Sequence, residues 1–381
     1  MSKTDQMSFF GFEAEPAAVP AAAKAKPVKP KVAKPAAPAV KQADVILVQS
    51  APSDLSAEPD LSLPKAQAPA LAERQDARTA FADEHEVMAQ ALSDHPDFRV
   101  LRRLVPRTDY GLVNGQSTRR IIVLDTETTG LDPRSEKIIE LAMLSVLVDT
   151  ATGLPVGPVT VYESFEDPGR PIPPQITEIT GIDDSMVQGQ RIDDAAVTAL
   201  VEQADLIVAH NAGFDRPFVE ARLPVFALKA WNCSFAGIDW KKEGSGSAKL
   251  EFLASERGWF YDAHRAQVDC HALLQVLSSP LADGKTGLTR LLDGAGKTRF
   301  KLRATGAPFD AKDKLKSRGY RWDGEGRVWW CSLSSDELLQ AECLWLRAEV
   351  YGQRGAHLHL EAMDSLVQFS NRPGHLTEKS L

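Results

Sequence analysis

The stretch Arg120-Ile121-Ile122-Val123-Leu124-Asp125-Thr126-Glu127-Thr128-Thr129-Gly130-Leu131 constrains this chain more than any other. Ile121 to Leu124 is a continuous apolar, β-branched run, the pattern of a buried central strand. Asp125 and Glu127 stand two residues apart where that strand ends. A strand puts positions i and i+2 on one face, so both acids aim at one spot. Two anions held that close repel each other unless a cation lies between them. Hard oxygen ligands with space left for water suit Mg²⁺ or Mn²⁺ better than zinc. A solvated acidic turn after a strand has the same local spelling, and two further acidic elements downstream decide against it.

The second is Leu206-Ile207-Val208-Ala209-His210-Asn211-Ala212-Gly213-Phe214-Asp215. A short buried strand runs into a polar turn, and Asp215 is read as opening a helix to Leu223, with Pro217 in its first turn. A carboxylate there is also favoured by the helix dipole alone. The third is His264-Arg265-Ala266-Gln267-Val268-Asp269, in which Asp269 sits in a helical pattern continued by Ala272, Leu273, Leu274 and Val276. Together, Asp125, Glu127, Asp215 and Asp269 suit two cations about 3.5–4 Å apart, the arrangement used for phosphoryl transfer. A neutral imidazole near pH 7 suits the base that deprotonates a water, which gives His264 a role.

These three elements, in this order, resemble the motifs of the DEDDh 3′–5′ exonucleases, the group that includes the proofreading epsilon subunit of bacterial DNA polymerase III. The resemblance covers about residues 118–280 and implies an RNase H-like α/β fold, a mixed five-stranded sheet flanked by helices. It further implies that Asp125, Glu127, Asp215 and Asp269 hold two divalent metal ions, Mg²⁺ or Mn²⁺, with His264 as general base. Thr128, Thr129, Asn211 and Phe214 would line the pocket for the terminal nucleotide.

At 381 residues the chain has room for one large or two modest domains plus tails. With 43% hydrophobic and 25% charged residues it can build a packed core. The net charge of -8 argues against a uniformly basic nucleic-acid binder, though it averages segments of opposite character. Cys233, Cys270, Cys331 and Cys343 lack zinc-ligand spacing, which points to reduced thiols and a cytoplasmic setting. No apolar run reaches the length of a membrane span.

Residues 1–69 read as a tail. From 14 onward it is Ala/Pro/Lys-rich, too poor in apolar surface to offset its ordering entropy. Its start, Gln6-Met7-Ser8-Phe9-Phe10, resembles the pentapeptide by which bacterial replication proteins dock on the sliding clamp; the alternative is a segment packed on its own domain. Residues 70–117 read as a helical extension, with an amphipathic helix over 76–93 and a second short piece from Phe98 to Leu104.

Residues 281–297 form a connection containing a short helix, and 298–352 a small α+β module, followed by a polar tail from 353 to 381. From Lys297 to Trp330 there are ten Lys/Arg and four acids, interleaved with Tyr320, Trp322, Trp329 and Trp330. Cations beside aromatic platforms are what sequence-tolerant single-strand binding uses. At least two of the four aromatics are assigned to packing, the commoner use of Trp in a small domain.

The expectation is a metal-dependent 3′–5′ exonuclease acting on single-stranded nucleic acid, DNA favoured, with a polymerase and the sliding clamp as partners. An RNA-trimming enzyme of the same fold and a non-catalytic subunit that grips 3′ ends are the alternatives.

Overall fold

The computed structural model describes residues 84–352 and 354–381. The Gln6–Phe10 motif, the Ala/Pro/Lys-rich stretch and the start of the expected helix at 76 lie outside the described residues. Residues 84–93 are helical, in a unit distinct from the one that begins at Arg99. The helical piece expected up to Leu104 is extended instead. Arg102 and Arg103 pair in parallel with Trp259 and Phe260, and Leu104 N donates to Phe260 O at 2.8 Å. That long-range ladder overrides the local spacing.

The first sheet is mixed and five-stranded. Its strands are β1 (Thr118–Thr128), β2 (Ile138–Asp149), β3 (Pro155–Phe165), β4 (Leu206–Ala209) and β5 (Trp231–Cys233), in the order β3-β2-β1-β4-β5. β1 is central, antiparallel to β2 and parallel to β4, with Ile121 opposite Leu206 and Leu124 opposite Ala209. Because β1 and β4 run the same way, their carboxyl ends share one edge. This is the RNase H-like arrangement expected.

Alternation along β1 divides its side chains between two cores. Ile121 and Val123 join Val208, Leu253, Leu273 and Leu277 on one face; Ile122 and Leu124 join Ile207, Phe218, Phe226 and Trp231 on the other. Helices α1 (Asp194–Gln203) and α2 (Ala212–Arg222) supply the second core, whereas α3 (Leu250–Glu256), α4 (Ala266–Ser278) and α5 (Gly287–Ala295) supply the first. Asp193 starts α1, its Oδ1 accepting from the backbone of Ala195 and Ala196 at 3.0 Å each. α5 is the helix expected in the 281–297 connection, and Leu288 and Leu291 bury it in the first core.

The second sheet is antiparallel. It comprises β6 (Arg299–Ala304), β7 (Arg321–Asp323), β8 (Val328–Leu333), β9 (His357–Met363) and β10 (His375–Ser380), in the order β10-β9-β6-β8-β7. Helices α6 (Lys312–Ser317) and α7 (Asp336–Trp345) cover one face, where Leu302, Leu315, Leu339, Leu346 and Leu358 make the core. Tyr320 and Trp329 pack into it, the two aromatics that packing claims.

The tail expected to be polar from 353 therefore contains two of the five strands. Leu358 and Leu360 alternate with His357, His359 and Glu361, and β9 closes against β6, with Leu360 opposite Leu302. Between β9 and β10 the chain returns to the first sheet. Trp231 N donates to Ser365 O (2.9 Å), and the Gln368 side chain donates to Trp231 O (2.8 Å), so this loop extends the edge of β5. Arg216, fully buried, donates to Ser365 O (3.2 Å), Gln368 O (2.7 Å) and Leu366 O (2.5 Å) and pairs with Glu220 (2.7 Å).

Candidate active site

Asp125 and Glu127 leave β1 on the face that α4 covers, and Asp269 comes from the first turn of α4. One oxygen from each of these three carboxylates lies within 4.8 Å of the others. Asp215 lines the same cleft from α2 but falls outside that compact trio. Its Oδ1 accepts from Thr126 N (3.1 Å) and Thr126 Oγ1 (2.9 Å), so β1 itself grips it. The sequence reading starts α2 at Asp215. The helix begins three residues earlier, because Asn211 takes a left-handed conformation (φ 70°) that turns the chain sharply after β4. Pro217 consequently lies inside the helix rather than in its first turn.

His264 also lines the cleft and is left-handed, at φ 66°. Its backbone N donates to Asp269 Oδ2 (2.8 Å), as does Arg265 N (3.2 Å). Asp269 therefore fastens the loop that carries the imidazole. Two of the four non-glycine residues with positive φ among the described residues are thus at this cleft, where held strain has a use.

All four carboxyls are pushed above their ordinary range, with burial the largest cause in each. For Asp125 the repulsion of Asp215 and then Asp269 adds to it; for Glu127 that of Asp269 and then Glu140. Asp215 and Asp269 rise to about 7, against the opposing hydrogen bonds from Thr126 to the first and from Tyr261, His264 and Arg265 to the second. An all-oxygen donor set that is short of positive charge and partly withdrawn from water fits a hard divalent cation, which would relieve both the repulsion and the desolvation.

Of the expected nucleotide-pocket residues, Asn211 and Phe214 line the cleft. Thr128 and Thr129 are buried beside it but not among its lining. The Thr128 hydroxyl donates to Gly130 O (2.6 Å) and that of Thr129 to Glu136 (2.7 Å), so both tie down the turn after β1. Thr126, Lys249 and Tyr261, which the motifs do not single out, do line it.

Glu140 was missed as well. It is fully buried on β2, directly opposite Glu127, and its carboxylate accepts from Arg265 Nη2 (2.9 Å) and from Ala266 N (2.9 Å). Arg265 also lies 3.7 Å from Glu163. Glu140 thus pins the chain just beyond His264 to the sheet. An acid inside the apolar run Ile138-Ile139-Glu140-Leu141-Ala142-Met143 was the available signal, since a buried carboxylate demands a partner.

Residues 122–277 match the RNase T family model, described as exonuclease. The chain is 28% identical over 183 residues to the PolC-type DNA polymerase III of Caldanaerobacter subterraneus subsp. tengcongensis, covering 43% of this chain and 12% of that one. It is 32% identical over 186 residues to the PolC-type DNA polymerase III of Thermotoga petrophila, covering 45% and 12%. The chain thus spans about an eighth of the length of these relatives. Among solved structures, exonuclease X in complex with 5′ overhanging duplex DNA is 26% identical, with a TM-score of 0.32, covering 44% of this chain and 99% of that one. Residues 122–277 are thus similar to the RNase T family of exonucleases.

Proposed function

We propose that the chain is a metal-dependent 3′–5′ exonuclease that removes nucleoside 5′-monophosphates one at a time from single-stranded DNA. The observation that carries this reading is the trio of buried Glu127 and half-buried Asp125 and Asp269, with ligand oxygens within 4.8 Å, facing the loop of His264 in one cleft with Asp215. A cluster so acidic repels a phosphodiester unless cations offset it. Asp125, Glu127, Asp269 and Asp215 would hold divalent ions, Mg²⁺ or Mn²⁺. Bound there, such ions supply charge neutralisation at the scissile phosphate and a more acidic water.

The chain's own groups supply the rest. His264 takes the proton of the attacking water as its oxygen bonds to phosphorus and the bond to the preceding 3′ oxygen breaks. Glu140 and Arg265 hold the loop that aims the imidazole. Thr126 orients Asp215, and Tyr261 orients Asp269 through its hydroxyl (3.2 Å). Phe214 and Asn211 flank the space for the terminal base and sugar, and Lys249 faces the phosphate from α3's N-terminal side. DNA is favoured because the named relatives are DNA polymerases. A polymerase fits as a partner on the same ground, and the sliding clamp on the resemblance of Gln6–Phe10 to its docking pentapeptide.

The test is product chemistry. Single-stranded DNA and RNA of one sequence are digested with Mg²⁺, and the products are separated by anion exchange. Nucleoside 5′-monophosphates from DNA, formed faster than from RNA, are expected. Nucleoside 3′-phosphates or short oligonucleotides as first products would overturn the reading.

A further inference from the structure

The second sheet has helices on one face, and its other face carries a pattern the cleft does not use. Along β6, Phe300, Leu302 and Ala304 point into the core, which turns Arg299, Lys301 and Arg303 to the opposite face. Successive members of that row stand about 6.7 Å apart. On the next strand Trp330 lies opposite Arg303 on one side and Arg321 on the other. The Lys301 ammonium sits 4.6 Å from the Trp330 ring centre, and the Arg321 guanidinium 5.8 Å from it. An indole is therefore set among three cations, in a chain whose net charge is -8.

The acids of this face are largely committed. Glu361 pairs with Arg303 (2.8 Å). Asp323 accepts from Glu325 N (3.0 Å) and Gly326 N (2.9 Å) in the turn after β7. Glu378 lies 3.7 Å from His359 on the far side. Among the described residues neither Lys301 nor Arg321 forms an ion pair, although Glu361, committed to Arg303, stands opposite Lys301 on β9.

The first member of the row, Arg299, which packs over the Phe369 ring (5.4 Å), also reaches the segment behind the cleft wall. His210 lines the cleft; its ring meets Phe235 edge-on at 5.7 Å, and its Nδ1 lies 2.7 Å from Ser234 Oγ. Ala236, which follows Phe235, accepts through its carbonyl from Arg299 Nη2 (3.1 Å). From Arg299, Lys301 and Arg303 lead away along β6.

We propose that this face is a track for single-stranded nucleic acid, holding the part of the strand 5′ to the end seated in the cleft. The proposal rests on the exonuclease reading above and extends it from the terminal nucleotide to the body of the substrate. Lys301, Arg321 and Arg299 meet phosphates, and the Trp330 indole stacks on a base. A duplex presents no unpaired base to that ring, so the occupant is a single strand.

Two measurements on the full chain test it. Steady-state hydrolysis is compared on a twenty-nucleotide DNA and on a dinucleotide. Binding of a fluorescent oligo-dT is followed in EDTA across a salt series. Lys301→Ala/Arg321→Ala should raise KM for the long strand about tenfold, leaving kcat and the dinucleotide reaction unchanged. It should also make the salt slope shallower by about 1.4, since each lost single-strand phosphate contact removes about 0.7. Trp330→Ala should weaken oligo-dT binding, and Trp330→Phe should restore it. An unchanged KM and slope, or an equal loss on both substrates, would overturn the track. If the natural chain hydrolysed neither substrate, the cleft reading would fail, and binding in EDTA would still decide the track.

Discussion

Replacing Arg216 by methionine tests whether the carboxy-terminal segment is part of the catalytic unit. The buried guanidinium meets three backbone carbonyls of residues 365–368 and the Glu220 carboxylate. Burial pulls its pKa down from the ordinary value, and the bond and charge of Glu220 oppose that. Methionine keeps the length and apolar stem but strands those acceptors, of which each unsatisfied one costs about 1–3 kcal/mol. Glu220 keeps Ser370 (2.5 Å) and Arg372 (3.1 Å), which limits the damage. Loss of one partner of a buried ion pair costs about 3–5 kcal/mol. At about 2–4 °C per kcal/mol, that lowers the melting temperature by about 10 °C.

Thermal and urea denaturation followed by circular dichroism would read this change, with Lys314→Met as the control. Lys314 pairs with Glu349 at 3.0 Å, but both side chains are about half exposed, and such a pair contributes about 0–1 kcal/mol. A chain ending at residue 363 should be destabilised like Arg216→Met, because it removes the same carbonyls. Turnover should fall in both, since Asp215 is the preceding residue in the helix that this contact braces. A melting temperature for Arg216→Met no lower than that of Lys314→Met would refute the reasoning.

His264→Ala should lower kcat by about 10²–10⁴-fold, with single-strand affinity in EDTA unchanged; undiminished turnover would remove its role as base. Glu140→Gln, which weakens the anchor of Arg265, should lower kcat more than it raises KM, and equal melting temperatures for variant and natural chain would tie the effect to positioning. Glu220 has a lowered pKa: burial raises it, but the bonds from Ser370, Arg216 and Arg372 prevail. Its contribution to stability is therefore full above its unfolded pKa and is lost as pH falls through the lower folded value. Denaturation midpoints of the natural chain should fall on acidification below about pH 4.5, and less so for Glu220→Gln.

The acidic edge was legible because its elements are local. Ile121 to Leu124 spells a strand, Asp125 and Glu127 follow within three residues, and parity alone puts both on one face. The parallel pairing of β1 with β4 then brings Asp215 to the same edge. What escaped depends on pairing over distance. Glu140 reads as an interruption of an apolar strand until Arg265, far along the chain, is seen to meet it. The extended Arg102–Arg103 segment needs Trp259 and Phe260 to be recognised as a strand. β9 and β10 looked like a polar tail because β9 alternates polar with apolar residues, β10 has Leu376 as its one apolar residue, and β6, which β9 joins, lies more than fifty residues earlier. The start of α2 was misplaced for a subtler reason, the left-handed Asn211. Asparagine tolerates that conformation, but nothing in its neighbours demands it.

The most direct test of the account is digestion of a 5′-labelled single-stranded DNA by the full chain with Mg²⁺ or EDTA, beside Asp125→Ala. The account predicts a ladder shortening from the 3′ end one nucleotide at a time with Mg²⁺, and none with EDTA or with the variant. A ladder that persists in EDTA or in Asp125→Ala, or no cleavage by the natural chain, would contradict it.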